Sequence, residues 1–304
     1  MTPASLIIEE PLDSRHWTLE ESFQYCDRMA ASHYENFPVG SWFIPKRLRP
    51  YLHSIYAFAR VADDFADEPQ YHDGLRFALL ENWEAQLLQC LWRKPQHPIF
   101  IALRETLERF DLPIGLFQAL LTAFKMDVTT KRHEQYEDLL AYCSYSANPV
   151  GRLVLLLFGY RKEEDHQLSD YICSALQLAN FWQDVEVDLQ KDRIYLPLKE
   201  MAAFGCTEAD LREHRLTPSF QNLMMHQTRR TRALFHQGRP LLDRVNRDLR
   251  FELHLTWNGG VTLLDRIEAA GCDVFTKRPS FSMMDKLLLV GKAAFSRSLP
   301  TGTM

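Results

Sequence analysis

Apolar residues recur at three- and four-residue spacing through most of this 304-residue chain. That spacing places them on one face of a helix, and the two-residue alternation and hairpin turns of a sheet are absent. The pattern therefore predicts an all-α fold. The predicted helices span residues 17–33, 47–67, 74–92, 98–110, 114–129, 134–159, 165–190, 207–214, 218–246, 248–270 and 282–297.

The breaks between most of these helices fall at proline or glycine residues. The chain holds only 12 Gly and 15 Pro, so long stretches remain uninterrupted. No repeat, low-complexity linker or shift in composition marks a boundary between domains. We therefore predict a single domain over residues 1–304, with a short irregular N-terminus over about residues 1–16.

A polar stripe runs along one face of the predicted helix 47–67. Tyr56, Arg60, Asp63 and Asp67 stand at positions i, i+4, i+7 and i+11 of that helix. Two carboxylates one turn apart repel each other unless a cation lies between them. Mg²⁺ prefers one or two carboxylates, with water and phosphate oxygens as its other ligands. We therefore expect a magnesium–diphosphate site at this first acidic stripe, with Arg60 contacting the diphosphate.

A second acidic stripe lies on the predicted helix 165–190. Gln177, Asn180, Asp184 and Asp188 run at i, i+3, i+7 and i+11, and their neighbours on the helix are strongly apolar. We therefore expect a largely buried helix whose polar stripe faces the interior. Buried amides and carboxylates need partners, and a metal–diphosphate complex would satisfy all of them.

The stripes have two other interpretations. Each stripe taken alone is typical of a solvated helix face with salt bridges. A di-iron centre would need a Glu-x-x-His motif on facing helices, and neither stripe contains histidine. Because two stripes of matching geometry occur together, magnesium and diphosphate are favoured over both alternatives.

Composition narrows the class of protein. The formal net charge is -5, so no global basic field favours nucleic acid, and we predict no nucleic-acid partner. The six cysteines form no CxxC pair and are typical of buried thiols in a reducing cytoplasm, where we place the protein. Residues 1–11 lack the apolar segment of a signal peptide, and the run Leu153–Phe158 is too short to span a bilayer. Peripheral contact with a membrane stays open.

In this order and at this separation, the two stripes resemble the squalene/phytoene synthase family of trans-isoprenyl diphosphate synthases, over roughly residues 20–290. The resemblance implies a single-domain helical bundle around a deep apolar cavity, with the two acidic helices facing each other across its mouth. It also implies Mg²⁺ as the cofactor. The implied magnesium ligands are Asp63, Asp67, Asn180, Asp184 and Asp188, and the four aspartates are implied to be catalytic.

The resemblance extends to residues outside the stripes. Tyr142 matches a tyrosine that assists carbocation chemistry, Asp127 and Arg132 match an Asp-x₄-Arg motif, and 193–197 match the segment after the second stripe. Residues 33–37 lie where relatives carry a diphosphate-binding loop. The positions implied to contact the substrate are His33, Asn36, Tyr56, Arg60, Tyr145, Asn148, Gln177, Gln183 and Arg193.

Departures from the family pattern point to one branch. The segment Ser146–Arg152 differs from the Val-Ala-Gly of relatives that condense two prenyl diphosphates, Gln183 replaces an arginine, and Cys272 replaces a tyrosine. Together they resemble the hydroxysqualene synthase branch of bacterial hopanoid pathways. That branch ionises presqualene diphosphate and captures the rearranged cation with water, so NADPH is not expected. Asn148 or Arg152 is a candidate holder of that water, whereas Asn148-Pro149 is equally typical of a helix kink.

The sequence is compatible with two further functions. A squalene, dehydrosqualene or phytoene synthase would condense two prenyl diphosphates head to head. A non-catalytic assembly factor of the same fold would have no need for the five implied magnesium ligands, all of which are present. The sequence makes no prediction of oligomeric state.

Overall fold

The computed structural model describes residues 16–32, 44–276 and 278–280. Within these ranges the chain is helical, and its one β feature is an isolated bridge between Arg132 and Ile194. The predicted all-α fold is confirmed. No helix in the described ranges combines the length and apolar character needed to cross a membrane.

The helices are numbered in chain order over the described residues. They are α1 (Leu19–Ser32), α2 (Arg49–Asp67), α3 (Asp73–Gln89), α4 (Pro98–Phe110), α5 (Ile114–Thr129), α6 (Tyr136–Ser146), α7 (Asn148–Leu157), α8 (Glu163–Gln183), α9 (Val185–Gln190), α10 (Leu198–Phe204), α11 (Glu208–Arg212), α12 (Pro218–Gly238), α13 (Leu241–Arg244) and α14 (Arg247–Ala269).

Three predicted helices are each divided in two. The predicted helix 134–159 breaks at Ala147, because Pro149 has no N–H to continue the ladder of α6. The predicted helix 165–190 breaks at Asp184, and the predicted helix 218–246 breaks at Arg239-Pro240. Helix α10 was not predicted at all, and the predicted helix 282–297 lies outside the described residues.

The chain divides into two compact units. The first comprises Met1–Thr129 and Arg152–Arg161, and the second comprises Thr130–Gly151 and Lys162–Met304. The division passes through α7. The prediction of one domain over 1–304 stays a prediction.

Helix α2 is the centre of the first unit. It packs against α1, α3, α4 and α5. Its inner face inserts Phe58 into a cluster of rings, 6.0 Å from Trp83 and 5.4 Å from Phe117 between centroids. The Trp83 indole also donates a hydrogen bond to the Phe58 carbonyl over 3.2 Å. These buried aromatic contacts hold the helix that carries the first acidic stripe.

Helix α8 has the same central place in the second unit, where it packs against α6, α12 and α14. The contact with α12 is close because Gly238 has no side chain: a Cβ there would lie 2.5 Å from Cγ1 of Ile172. Trp182 is fully buried, and its indole N–H donates to Thr231 Oγ1 over 2.8 Å. The helix of the second acidic stripe is therefore anchored on its apolar side.

A charged network joins α6, α10 and α12, and we expect Glu200→Ala to destabilise the protein. Arg230 makes two 2.6 Å hydrogen bonds to the Glu200 carboxylate, and its guanidinium lies 3.4 Å from the centre of the Tyr136 ring. Removing Glu200 leaves a largely buried cation without its carboxylate, so the free energy of unfolding should fall by about 2 kcal/mol. Urea denaturation measures this.

The matched control for Glu200 is Glu213→Ala. Glu213 is exposed and pairs with the half-exposed Arg215, so its removal should change the free energy of unfolding by about 0.5 kcal/mol or less. Equal denaturation midpoints for the two variants would contradict the importance given to the Glu200–Arg230 pair.

Candidate active site

The first acidic stripe lies on α2, which has Pro50 in its first turn and ends at Asp67. Asp63 is accessible, with 43% of its side chain exposed, whereas Arg60 is 20% exposed. Tyr56 is half-buried, and burial raises the pKa of its hydroxyl. The helix therefore presents the stripe at the boundary between the apolar interior and solvent.

Asp64, which the sequence analysis did not single out, holds Arg60 in place. The Arg60 guanidinium lies 2.5 Å from Asp64 Oδ1 and 3.4 Å from Asp63 Oδ2. Asp64 is 3% exposed, and burial raises the pKa of its carboxyl although Arg60 opposes the rise. The i, i+4 spacing of Arg60 and Asp64 was the signal in the sequence that could have revealed this pair. Asp64 thus positions Arg60 beside Asp63.

A single helix was predicted for the second acidic stripe, but the stripe does not lie on one continuous helix. Helix α8 ends at Gln183, Asp184 lies between the helices, and Asp188 belongs to α9. The distortion is local, because the Asp184 N–H still donates to the Asn180 carbonyl over 2.9 Å and the Asp188 N–H to the Asp184 carbonyl over 2.8 Å.

The burial expected along this stripe is found only in part. Asn180 is exposed, whereas Gln177 is half-buried and 25% of the Asp184 side chain is exposed. The expectation that the whole stripe faces the interior is therefore wrong at Asn180. An exposed amide oxygen remains accessible to a metal ion.

Arg278 forms a salt bridge with the carboxylate of Asp184. Its Nε donates to Asp184 Oδ1 over 2.5 Å, and its Nη2 donates to Oδ2 over 3.0 Å, a two-point contact that raises the pKa of the guanidinium. The two residues are 94 positions apart, so no local pattern could have predicted the pair. A fixed cation therefore lies at an implied magnesium ligand.

Gln183 supports the segment that carries Arg278. The residue is 8% exposed, its side-chain amide donates to the Pro279 carbonyl, and its Oε1 accepts from Arg278 over 3.5 Å. The sequence assigned Gln183 to substrate binding, which stays a prediction. What the contacts give it is a positioning role for residues 278–280.

Asp188 lies in the wall of a small pocket. The other lining residues are Phe181, Val185, Leu189, Arg193, Ile194, Tyr195, Leu196 and Leu211. The Arg193 N–H donates to the Asp188 carbonyl over 2.9 Å, and the Arg193 residue is 9% exposed. The lining thus includes one acidic residue and one basic residue among mainly apolar and aromatic ones.

Arg132 holds the wall of this pocket. Its guanidinium makes hydrogen bonds of 2.9 and 3.0 Å to Glu208, and one of 3.0 Å to Asp192 Oδ1. The neighbouring Lys131 carbonyl accepts from the Ile194 N–H over 2.9 Å. Arg132, the arginine of the Asp-x₄-Arg motif, thus helps to fix the segment 192–196 in place.

Tyr142 belongs to a cluster of four rings. The rings of Phe181 and Tyr195 are stacked at 3.6 Å between centroids, and Tyr142 lies 5.9 and 6.2 Å from them. His133 stacks on Tyr195 at 5.6 Å, and burial lowers the pKa of its imidazole. Tyr145, by contrast, is 40% exposed. Tyr142 is thus buried beside three other aromatic rings.

Asn148 follows the break in the central helix, which agrees with the kink, one of the two interpretations of Asn148-Pro149. Its Oδ1 accepts a hydrogen bond from Ser174 Oγ over 2.9 Å. Its role in water capture stays a prediction. His33 and Asn36 lie outside the described residues.

Comparison with known proteins identifies the family. A family model described as squalene/phytoene synthase matches residues 30–285. The chain belongs to this family. It is 36% identical to the hydroxysqualene synthase of Rhodopseudomonas palustris over 73% of this chain and 75% of that protein.

Solved structures agree with the family. The squalene synthase HpnC of Alicyclobacillus acidocaldarius is similar to this chain with a TM-score of 0.80 and 40% identity, over 83% of this chain and 95% of that one. A dehydrosqualene synthase is similar with a TM-score of 0.81 and 25% identity, over 91% and 96%. The isoprenoid synthase fold that the resemblance implied is confirmed.

The donor set of this squalene/phytoene synthase family member fits Mg²⁺. Within the described ranges no three His, Cys, Asp or Glu side chains converge as a self-sufficient metal site. Mg²⁺ needs no such cluster, since it takes one or two carboxylates and completes its shell with water and phosphate. Both oxygens of the Asp184 carboxylate accept hydrogen bonds from Arg278, so a metal ion at this carboxylate would compete with the guanidinium.

Glu252 on α14 is a second acidic group that sequence reasoning missed. It is 9% exposed, and its Oε2 has no hydrogen-bond partner among the described residues. Burial raises the pKa of this carboxyl from 4.5 to about 8. A single buried glutamate in a helix gives no signal in the sequence that separates it from an exposed one.

The buried Glu252 should make stability depend on pH. Because its pKa is about 8 in the folded chain and near 4.5 when unfolded, the folded state holds an extra proton between these values. Stability contributed by the protonated form is therefore lost as pH rises from about 5 to about 8, by at most about 1.4 kcal/mol per pH unit.

Glu252→Gln removes this titration. Urea denaturation at pH 5, 6, 7 and 8 should show a free energy of unfolding that falls with pH more steeply in the wild type than in the variant. A difference between the two proteins that stays constant over this range would contradict the raised pKa of Glu252.

Proposed function

We propose that this family member is a magnesium-dependent isoprenoid synthase that ionises presqualene diphosphate and captures the rearranged cation with water, which gives hydroxysqualene. The observation that carries the proposal is the 36% identity to a hydroxysqualene synthase over 73% of the chain. The segment Ser146–Arg152 supports it, because its sequence departs from the pattern of relatives that condense two prenyl diphosphates.

The first step breaks the bond between carbon and the diphosphate oxygen, and negative charge develops on the leaving group. Mg²⁺, when bound, would neutralise that charge. The ligands proposed for it are Asp63, Asp67, Asn180, Asp184 and Asp188. Arg60, paired with Asp64, and Arg278, paired with Asp184, supply guanidinium groups for the same charge.

The cation that remains must be protected from bulk water. Tyr142, Phe181 and Tyr195 form a buried cluster of rings, and the π faces of such rings attract cations. An apolar aromatic wall also excludes water that would add at the wrong carbon. We assign Tyr142 to the stabilisation of the cation. The reaction as proposed consumes no reductant.

Head-to-head condensation of two prenyl diphosphates is the second candidate function. The chain is 28% identical to the phytoene synthase of Arthrospira platensis over 89% of its length, and it resembles a dehydrosqualene synthase in fold. Both reactions would use the same carboxylates and arginines. They differ in the number of substrates and in the fate of the cation.

Incubation with separate substrates distinguishes the two functions. Purified protein with Mg²⁺ is given presqualene diphosphate, farnesyl diphosphate or geranylgeranyl diphosphate, each with and without NADPH, and products are identified by mass spectrometry. We expect hydroxysqualene from presqualene diphosphate and nothing from the other two, with no effect of NADPH. A condensed product from a prenyl diphosphate would favour the second candidate. A chain inert to all three would support a non-catalytic role.

A further inference from the structure

Three large apolar side chains at the end of α3 are exposed to solvent. Trp92 is 81% exposed, Leu91 is 40% exposed and Leu88 is 38% exposed. The described part of the chain has seven exposed large apolar residues, and only these three stand together in sequence. Single exposed apolar residues are normal on protein surfaces, whereas a contiguous group marks a surface that contacts something. Residues 88–94 are called the tryptophan turn below.

The hydrophobic core does not need these side chains. Helix α3 and the residue after it contribute to the core four side chains that are at most 1% exposed, namely Leu80, Trp83, Leu87 and Cys90. The Trp92 ring contacts no other ring in the described ranges, and its indole N–H has no hydrogen-bond partner there. The indole is therefore a surface feature, and its polar end is available to water or to a ligand.

Hydrogen bonds hold the tryptophan turn in a defined shape. The N–H groups of Trp92 and Arg93 both donate to the Gln89 carbonyl, over 3.0 and 2.9 Å. The guanidinium of Arg104 on α4 donates to the Arg93 carbonyl over 3.2 Å. The turn is thus tied to both α3 and α4, and it presents the indole outwards without a change in the fold.

The charge of the tryptophan turn is positive, although the formal net charge of the chain is -5. Arg93 and Lys94 directly follow Trp92, and both are exposed. Neither side chain pairs with an acid among the residues that the structure describes. No Asp or Glu occurs between Glu84 and Glu105. Two cations beside an exposed indole are complementary to an anionic surface.

An anionic lipid bilayer fits this combination of side chains. Tryptophan is favoured at the boundary between acyl chains and head groups, because its ring is apolar and its N–H stays hydrated. A Lys or Arg near an anionic membrane strengthens binding by about fivefold. Leu88, one helical turn before Trp92, adds apolar surface beside the ring. A bilayer requires no matching shape, so a small patch suffices for weak, reversible binding.

A second copy of this chain fits the tryptophan turn less well. Its three apolar side chains expose on the order of 300 Å². A stable protein interface buries about 800 Å² on each partner. A symmetric contact between two copies would also bring Arg93 and Lys94 of each copy towards those of the other, and like charges repel.

We propose that the tryptophan turn docks this protein reversibly on anionic membranes, with Trp92 inserted among the head groups and Arg93 and Lys94 on the lipid phosphates. This inference goes beyond the proposed function and does not depend on it. Both candidate reactions nevertheless give a product that is almost entirely hydrocarbon, and such a product dissolves in a bilayer rather than in water.

Co-sedimentation with lipid vesicles tests the proposal. The vesicles consist of phosphatidylcholine alone, or of phosphatidylcholine and phosphatidylglycerol in equal parts. We expect the wild type to bind the anionic vesicles at low salt and to bind them less as salt is added. Trp92→Ala should weaken this binding by about tenfold. The double variant Arg93→Gln/Lys94→Gln should weaken it by about 25-fold and make it less dependent on salt.

Two control variants separate this surface from general effects. Arg229→Gln/Arg247→Gln removes two exposed charges elsewhere in the chain, and Leu216→Ala shortens a leucine that is 40% exposed. Both controls should bind vesicles like the wild type.

The variants of the tryptophan turn should keep the fold and the chemistry. The substituted side chains are all exposed, so the melting temperature should change by no more than about 2 °C. The 17 residues of α3 extend about 25 Å from the end of the helix that follows the first acidic stripe. Diphosphate release without vesicles should therefore equal that of the wild type.

Three results would overturn the inference. The first is wild-type protein that stays in the supernatant with anionic vesicles, and the second is variants of the turn that bind like the wild type. The third is a wild-type dimer in light scattering that Trp92→Ala converts to a monomer, because the turn would then join two copies. Vesicle binding needs no substrate, so bound protein that forms no product from presqualene diphosphate would refute the proposed function alone.

Discussion

Asp63→Asn and Asp184→Asn are each expected to lower kcat/KM for presqualene diphosphate by on the order of 10³-fold. An amide has the shape of a carboxylate without its charge, so each variant weakens the metal that neutralises the leaving group. Asp63 is 43% exposed, and the side chain of Asp184 is 25% exposed. Neither is a core residue, so the melting temperature should change by no more than about 3 °C.

Asp73→Asn is the control for these two variants. Asp73 is an exposed acid in the first turn of α3, where it pairs with Arg76 over 3.3 Å, and its substitution should leave kcat/KM unchanged. The kinetics are measured by diphosphate release over a range of Mg²⁺ concentrations. Full activity of Asp63→Asn or Asp184→Asn at Mg²⁺ concentrations that limit the wild type would remove these residues from the proposed metal ligands.

Arg278→Gln is expected to have two opposite effects. Without substrate, Mn²⁺ used as a probe for Mg²⁺ should bind about fivefold more tightly, because the guanidinium no longer occupies both oxygens of Asp184. With presqualene diphosphate, kcat should fall by about 10²-fold, because a cation that stabilises the leaving diphosphate is lost. Electron paramagnetic resonance of free Mn²⁺ measures the first effect, and steady-state kinetics measure the second.

Arg239→Gln provides the comparison for Arg278. Arg239 is 40% exposed and pairs with Asp243 on the same segment over 2.8 Å, away from the acidic stripes in sequence. Its substitution should change neither Mn²⁺ affinity nor kcat. An unchanged Mn²⁺ affinity in Arg278→Gln would mean that Arg278 and a metal ion do not compete for Asp184.

Helices that begin at or just after a proline were predictable from the sequence. Pro98 and Pro113 mark the starts of α4 and α5, and both helices have the predicted bounds. The spacing of apolar residues was also sufficient to predict α2, whose buried face runs from Ser54 to Ala66. In these elements local propensity and tertiary packing favour the same boundaries.

The divided helices show what an apolar period cannot predict. The break at Asp184 has no proline or glycine beside it, and the apolar spacing continues through it from Phe181 to Val185. Its Arg278 partner comes from a segment 94 residues away, which no helical pattern contains. At Pro149 a signal was present, and the kink was one of the interpretations of that segment.

The sequence predicted which types of residue belong to the site, but it did not predict which of them contact each other. The spacing of Asp63 and Asp67 could be read from the sequence, but the burial of Asp64 could not, because burial depends on which neighbours pack against α2. For Glu252 the sequence gives only a polar residue in an apolar helix. The pairs Arg60–Asp64 and Arg278–Asp184, and the lone carboxyl of Glu252, came from the three-dimensional arrangement.

The most direct test of the proposed reaction is incubation of the wild-type protein with presqualene diphosphate and Mg²⁺ in H₂¹⁸O, without NADPH. Ionisation followed by water capture predicts hydroxysqualene that carries one ¹⁸O atom, which mass spectrometry detects as a gain of about 2 mass units. Formation of hydroxysqualene without ¹⁸O would contradict water capture. Formation of hydrocarbon alone, or no conversion of presqualene diphosphate, would contradict the proposed function itself.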